Sequence, residues 1–181
     1  MENLIELFNT RPKGKSAEHR TCLKIIRRGR QEEIGFDQLK NNAREFAFWL
    51  MQKKKILAGD KIAILGKNRV DWDIAFWGSV LAGAVPVLID PERKIKDVEN
   101  HLVHTESKIL VVADDYPDNN PNIPGLDIVE MTNYERIEAA KIYDCIRLNE
   151  HKIKPEDTAV ILCTSGTTDN PKEVELSHQN L

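Results

Sequence analysis

The sequence predicts a doubly wound α/β fold, in which helices cover both faces of a parallel sheet. Short runs of apolar and β-branched residues recur along the chain, and amphipathic segments with a helical period separate them. Strands that are apolar along nearly their whole length are typical of a parallel sheet that is buried on both faces. The crossovers between such strands are expected to be right-handed.

The bulk composition is that of one soluble domain. The chain has 181 residues, of which 41% are hydrophobic and 30% charged, and its net charge of -3 gives no reason to expect a nucleic-acid partner. Its most apolar segment, residues 74–89, falls short of the roughly 20 residues that cross a bilayer, and acids near the N-terminus argue against a secretory signal. Three separated cysteines (Cys22, Cys145 and Cys163) are interpreted as free thiols in a reducing compartment. We therefore expect a cytoplasmic protein with no transmembrane segment.

The predicted elements begin with a small N-terminal β-hairpin, because two apolar runs flank a polar turn in residues 21–36. Asp37 is a suitable N-cap for the next helix, which has one apolar face and ends in a run of lysines. A buried strand is predicted over residues 61–65. A second helix is expected after the N-cap Asn68, with Gly83 at its C-terminal end.

The second half of the chain continues the alternation of strands and helices. A helix is expected to start at Asp90-Pro91, and another is predicted over residues 132–140. Ser177 is a suitable N-cap for a last helix, at the end of the chain. Four further strands are predicted, at residues 85–89, 108–113, 126–131 and 158–163.

The last of these strands leads into a stretch with phosphate-binding chemistry, CTSGTTDNPKEVELSHQNL. Hydroxyl groups and the N–H groups of a tight turn donate to phosphate oxygens, and a lysine adds a mobile positive charge. It is not a Walker A loop, because Pro171 precedes the lysine and Glu173 follows it. The same residue types are common in ordinary turns, but a loop beyond the carboxyl end of a strand is where doubly wound sheets bind ligands. The candidate phosphate-binding residues are Thr164, Ser165, Gly166, Thr167, Thr168 and Lys172.

Residues 164–181 closely resemble the signature of the adenylate-forming superfamily, in the order T-S-G-T-T-x-x-P-K-x-V-x-x-S-H-x-N-L. This superfamily includes acyl-CoA synthetases, luciferases and the adenylation domains of peptide synthetases. Two upstream stretches are similar to its early core and to its first amphipathic helix, GDKIAILGKNRVDWDIAFWGSVLAGAVPVLIDP and FDQLKNNAREFAFWL. The resemblance covers roughly residues 34–181. The pattern N-R-x-x-W-x-I-A-F, which starts at Asn68, favours the fatty acyl-CoA ligase branch.

The resemblance implies a two-step reaction with ATP, Mg²⁺ and coenzyme A. A carboxylic acid, a fatty acid in this branch, attacks the α-phosphate of ATP to give an acyl-adenylate and pyrophosphate. A thiol, typically that of coenzyme A, then takes the acyl group. The six candidate residues would hold the β and γ phosphates, and the Thr164 hydroxyl would lie near Mg²⁺.

Two features of this chain depart from the superfamily pattern. Asp169 and Glu173 stand where the superfamily has glycine. A carboxylate about 5 Å from a phosphate charge costs on the order of 3 kcal/mol at an effective dielectric constant near 20, so we expect weak ATP binding. The second departure is length, because residues 1–181 correspond to an N-terminal subdomain that ends just after the phosphate-binding loop. By itself this chain is expected to be inactive, and apolar surface on an incomplete domain can cause self-association.

Other polar residues receive a structural interpretation. His101 and His104 have the spacing of metal ligands on one helix, but with no cysteine or third histidine in evident reach a solvated face is favoured. Asp114 and Asp115 could touch Mg²⁺, although a polar loop is the simpler interpretation. His178 is expected to assist the first turn of a helix. Core packing is expected for the three tryptophans, Trp49, Trp72 and Trp77.

Two other classes of protein remain open. One is a nucleotide-binding pseudoenzyme or regulator, in which the acidic substitutions have removed catalysis. The other is a doubly wound module that serves only in protein interaction. A longer reading frame with further motifs of the superfamily would favour the enzyme over both. Carboxylate-dependent ATP–pyrophosphate exchange by that longer protein would separate the enzyme from the pseudoenzyme.

Overall fold

A computed structural model describes residues 3–10, 21–27, 30–114, 121–134, 153–164 and 172–181. The helices are α1 (Leu4–Asn9), α2 (Phe36–Gln52), α3 (Val70–Leu81) and α4 (Ile95–His104), and a 3₁₀ helix spans His178–Asn180. The strands are β1 (Thr21–Arg27), β2 (Arg30–Gly35), β3 (Lys61–Leu65), β4 (Val85–Ile89), β5 (Ile109–Val112), β6 (Asp127–Glu130), β7 (Thr158–Thr164) and β8 (Lys172–Ser177).

The central sheet has six strands in the order β6-β5-β3-β4-β7-β8. The first five are parallel to one another, and β8 pairs with β7 in the antiparallel direction. Strands β1 and β2 form a separate antiparallel pair, which is the predicted hairpin. The predicted α/β fold is confirmed, and every predicted strand is present with its ends shifted by at most one or two residues. The strand β8 is not among the predicted strands.

Helices cover both faces of this sheet because successive strand residues point to opposite sides. On one side Ile62 and Ile64 of β3 belong to the same core as Phe46 of α2 and Leu81 of α3. On the other side Ala63 and Leu65 pack in a second core with Val98 and Leu102 of α4. The doubly wound arrangement therefore follows from strands that are apolar at consecutive positions.

The first two long helices begin close to, but not at, the predicted caps. Gly35 is the N-cap of α2, because β2 runs straight into the helix, and Asp37 lies in the first turn. There its carboxylate still faces the positive end of the helix dipole. Arg69, in an extended conformation, is the N-cap of α3 in place of Asn68.

The start of α4 was also predicted too early. Asp90 caps a turn and not the helix, since its Oδ1 accepts a hydrogen bond from the Glu92 N–H at 2.9 Å and its carbonyl accepts one from the Arg93 N–H at 3.2 Å. The helix begins only at Ile95, after the N-cap Lys94. Farther along, the helix predicted over residues 132–140 does not begin at Thr132, which lies in a turn, and residues 135–140 fall outside the described chain.

The end of α3 is a Schellman motif at the predicted glycine. Gly83 has φ of 76°, a left-handed conformation that suits glycine. Its N–H donates to the Val80 carbonyl at 2.9 Å, and the Ala84 N–H donates to the Ser79 carbonyl at 3.0 Å. These bonds end the helix and turn the chain directly into β4.

Helices α2 and α3 cross at a glycine. A Cβ atom added at Gly78 would lie 2.7 Å from Cδ1 of Phe46 and 3.0 Å from the carbonyl oxygen of Ala43. Phe46 is fully buried, and its ring lies 5.6 Å from Trp49 and 5.0 Å from Tyr134. Core packing is confirmed for the tryptophans: Trp49 is buried, and Trp72 and Trp77 pack, partly buried, against the same core.

No helix among the described residues is long and apolar enough to cross a membrane.

Candidate functional site

The carboxyl edge of the sheet gathers the loops that follow β3, β4, β5 and β7. Gly66, which follows β3, lies under this edge in close contact with neighbours, since an added Cβ would be 2.9 Å from Cε of Met131 and 3.0 Å from Cβ of Ala113. An open cavity of about 450 Å³ adjoins it, with a lining that includes Lys67, Asn68 and Asp90. In open α/β sheets this edge is where ligands bind.

The structure brings together the first and last of the predicted phosphate-binding residues. Thr164 ends β7 and Lys172 begins β8, and the two are paired across the strands. The Thr164 hydroxyl donates to the Lys172 carbonyl oxygen at 3.1 Å, which leaves oxygen lone pairs of the hydroxyl available. Both residues are exposed. Ser165, Gly166, Thr167 and Thr168 lie outside the described residues, so only the two ends of the loop are defined.

Glu173 is turned towards helix α4. Its two carboxylate oxygens contact the imidazoles of two histidines. One oxygen lies 3.0 Å from Nδ1 of His101, and the other makes a shorter contact with Nδ1 of His104. Only 10% of its side chain is exposed. The Glu173 carboxylate, which was expected to repel the phosphates, therefore has protein partners. The larger effect on ATP binding is expected from Asp169, outside the described residues.

The interpretation of His101 as part of a solvated helix face was wrong. His101 is 1% exposed, whereas the side chain of His104 is 64% exposed. A cysteine is also within reach, because Cys163 and Glu173 are opposite each other in the β7–β8 pair. Donor atoms of His101, Cys163 and Glu173 all lie within 4.8 Å of one another. The histidine spacing was visible in the sequence, but the cysteine is brought to it only by the sheet.

The Cys163 thiol is one of two free thiols among the described residues, with Cys22. The pKa of the Cys163 thiol is raised to about 12, mainly by burial and to a smaller degree by the nearby Glu173 carboxylate, while the Arg93 guanidinium opposes both effects. Arg93 also donates to the Cys163 carbonyl oxygen at 3.4 Å. The side chain is therefore a protonated thiol at neutral pH in the absence of a bound cation.

Asp114 and His178 both have structural partners. The Asp114 carboxylate pairs with Arg69, which also contacts Asp71 at 3.2 Å, so Asp114 belongs to a polar loop at the sheet edge. Asp115 lies outside the described residues. The His178 ring is buried, and its Nδ1 accepts a hydrogen bond from the N–H of Leu4 at 3.2 Å. This contact joins the first helix to the end of the chain, and nothing in the local sequence indicated it.

The buried His178 predicts a pH-dependent stability. Burial lowers the pKa of His178 from 6.5, against a smaller opposing effect of Asp157, so the unfolded chain takes up a proton that the folded chain resists. The contribution of His178 to the free energy of unfolding is thus complete above pH 6.5 and declines as the pH falls below it. We expect urea denaturation to show a shallower decline for His178→Gln, whose amide oxygen can accept the same hydrogen bond. Equal slopes for the variant and the wild type would contradict this.

The strand order and the paired loop ends define a doubly wound α/β domain with a loop at its carboxyl edge. The AMP-binding enzyme family matches residues 11–181, and the chain belongs to this family.

Curated relatives and solved structures agree with this assignment. The chain is 27% identical over 154 residues to a D-alanine--D-alanyl carrier protein ligase of Streptococcus pyogenes, a match covering 83% of this chain and 28% of the relative. It is 28% identical over 143 residues to fatty acyl-CoA synthetase A of Dictyostelium discoideum, covering 68% of this chain and 21% of the relative. The chain thus spans less than a third of the length of these relatives.

The fold matches that of a fatty acid AMP ligase from Legionella pneumophila with a TM-score of 0.76 and 20% identity, over 98% of this chain and 31% of that one. The match to an O-succinylbenzoate coenzyme A synthetase from Bacillus subtilis in complex with AMP has a TM-score of 0.71 and 20% identity, over 98% of this chain and 42% of that one. At this identity the structures support the fold. The predicted membership of the adenylate-forming superfamily is confirmed.

Proposed function

We propose that residues 1–181 form the N-terminal subdomain of an ATP-dependent acid–thiol ligase and contribute its phosphate-binding loop. The observation that carries the proposal is the pairing of Thr164 with Lys172 at the carboxyl edge of the sheet. This pairing closes the base of a loop whose sequence has the family signature. The side-chain ammonium of an exposed lysine is then free to reach a phosphate beyond the edge.

The proposed chemistry begins with attack of a carboxylate on the α-phosphate of ATP. Negative charge develops on the departing pyrophosphate, and donors held in place before the reaction stabilise it. In this chain the donors would be the hydroxyl and N–H groups of the loop together with Lys172. Mg²⁺ would neutralise phosphate charge, and the free lone pairs of the Thr164 hydroxyl suit such a hard cation.

For the acid we propose a fatty acid, and for the acceptor the thiol of coenzyme A. The relative named fatty acyl-CoA synthetase A and the N-R-x-x-W-x-I-A-F pattern support this choice. The relative that acts as a D-alanine carrier protein ligase supports a different acid and a carrier-protein thiol, so both acceptors belong in the test.

A second candidate is a nucleotide-binding pseudoenzyme. It is favoured by one observation, the presence of carboxylates at Asp169 and Glu173 in and beside the loop. Glu173 is already engaged by His101, which limits its influence on a bound phosphate.

The deciding experiment is ATP–pyrophosphate exchange by the natural protein in its complete reading frame. Exchange that depends on a fatty acid is the expected result, followed by release of acyl-coenzyme A when coenzyme A is added. If D-alanine supports exchange and fatty acids do not, the proposed substrate is D-alanine in place of a fatty acid. ATP binding without exchange for any carboxylic acid would favour the pseudoenzyme, and the absence of both would favour an interaction module.

Replacing Lys172 with methionine is expected to weaken Mg-ATP binding in that protein by about ten- to a hundredfold. The loss corresponds to a charge-assisted hydrogen bond of about 1.5–3 kcal/mol. Calorimetry measures the dissociation constant. Lys154→Met is the matched control, since Lys154 is an exposed lysine just before the other end of β7 and should leave binding unchanged. Equal affinities of the two variants would contradict the assigned role of Lys172.

A further inference from the structure

Helix α4 and the strand pair β7–β8 bring four potential metal ligands together beside the phosphate loop. The antiparallel register sets Cys163 directly opposite Glu173, and cross-strand partners share one face of a sheet. That face is covered by α4, on which His101 and His104 are three residues apart and so project in similar directions. The cluster is defined by two strands and one helix, all of them regular elements.

The distances within this cluster suit a small cation. Donor atoms of His101, Cys163 and Glu173 are within 4.8 Å of one another, and the imidazole of His101 is 3.0 Å from the carboxylate. In a tetrahedral zinc site, bonds of about 2.0–2.3 Å place neighbouring ligand atoms about 3.3–3.5 Å apart. Side-chain movements of about 1 Å therefore convert the observed arrangement into a coordination shell.

The chemistry of the donors selects the metal. A thiolate, an imidazole nitrogen and a carboxylate oxygen are the three ligand types that Zn²⁺ takes in proteins. Alkaline-earth cations prefer a shell of oxygen ligands alone, whereas this cluster also has nitrogen and sulfur donors. His101 is 1% exposed and the Glu173 side chain 10% exposed, so the ligands are held by packing and not by solvent-exposed rotamers.

We propose that His101, Cys163 and Glu173 form a zinc site, with His104 close enough to the same carboxylate to complete it. On binding, the Cys163 thiol releases its proton to solvent and its sulfur forms the bond to the metal. The ion would tie α4 to both strands at the positions next to the loop ends, since Cys163 precedes Thr164 and Glu173 follows Lys172. The site is independent of the proposed ligase activity.

A cobalt titration of the metal-free protein in its complete reading frame tests the site directly. The background variant Cys22→Ser/Cys145→Ser leaves Cys163 as the single thiol of residues 1–181. We expect one Co²⁺ per chain with a thiolate-to-metal charge-transfer band, and displacement of Co²⁺ by one Zn²⁺. Cys163→Ser in this background should abolish the band. A titration without the band, or an unchanged band in Cys163→Ser, would overturn the proposal.

Zinc affinity, measured by competition with a chromophoric chelator, tests the other ligands. Loss of a residue that only supports a metal ligand typically weakens metal binding by about 10- to 100-fold. His101→Ala and Glu173→Gln each remove a ligand itself and are expected to weaken zinc binding by more than this. Glu175→Gln is the matched control on the same strand and should bind as the wild type does. Circular dichroism of each metal-free variant verifies that it is folded.

Thermal unfolding gives a second test of the zinc site. Zn²⁺ should raise the unfolding temperature of the wild type and leave that of Cys163→Ser unchanged, and equal shifts would contradict the site.

Discussion

Replacing Phe46 with alanine is expected to lower the free energy of unfolding by about 3–5 kcal/mol, the range for loss of a buried aromatic ring. Phe46 is fully buried where α2 crosses α3, and its ring touches the position of the missing Cβ of Gly78. Helices that meet at a glycine are too close to move into the vacated space easily, so a cavity would remain. Urea denaturation monitored by two probes measures the change.

Leu57→Ala is the control for this experiment. Leu57 is 66% exposed, so its truncation removes apolar atoms without opening a cavity and should change stability by no more than about 0.5 kcal/mol. Phe46→Leu should lie between the two, because it keeps part of the buried volume. A loss for Phe46→Ala as small as that for Leu57→Ala would contradict the close α2–α3 crossing.

The two acidic departures from the family pattern are expected to behave differently when each is changed to glycine. Asp169→Gly should tighten Mg-ATP binding by about a hundredfold, which corresponds to the roughly 3 kcal/mol of repulsion between one carboxylate and one phosphate charge. Glu173→Gly should not tighten it comparably, because that carboxylate is directed at His101 and His104. Calorimetry with the protein in its complete reading frame measures both. If the wild type bound Mg-ATP as tightly as the double variant Asp169→Gly/Glu173→Gly does, the expected weak binding would be contradicted.

Glu173→Gly should instead destabilise the fold. It leaves the buried His101 imidazole without its partner, at about 1–3 kcal/mol, and places glycine in a strand, at about 0.5–1 kcal/mol. Glu175→Gly is the control, because it also places a glycine in β8 but at an exposed residue. If Glu173→Gly tightened ATP binding as much as Asp169→Gly and unfolded like Glu175→Gly, the assigned orientation of Glu173 would be wrong.

Much of the fold was predictable because the strands are apolar at consecutive positions and need cover on both faces. Residues 61–65 and 85–89 were predicted to be strands, and β3 and β4 have those bounds. The termination of α3 was predictable as well, since only glycine readily adopts the positive φ observed at Gly83. Helix starts were less accurate. Asp90 illustrates the reason, since the same side chain can cap a turn or a helix.

The strand β8 shows why part of the site was not predictable. Its sequence, KEVELS, alternates in the way that indicates a strand, and that signal was available. Hydropathy would nevertheless have predicted the wrong buried face, with Val174 inside and Glu173 outside. In the structure the Glu173 side chain is 10% exposed, whereas Val174 is 43% exposed. Which side of β8 faces α4 depends on its register with β7, and register is a property of the pair.

The sequence by itself determined the α/β class and the family, since these depend on local periodicity and on the order of residues along the chain. Only the tertiary structure decided that His101 is buried, that Cys163 and Glu173 lie beside it, and that His178 accepts a hydrogen bond from Leu4. These contacts join residues 10 to 174 positions apart. No local pattern encodes such pairs, because they are set by strand register and by the docking of α4 on the sheet.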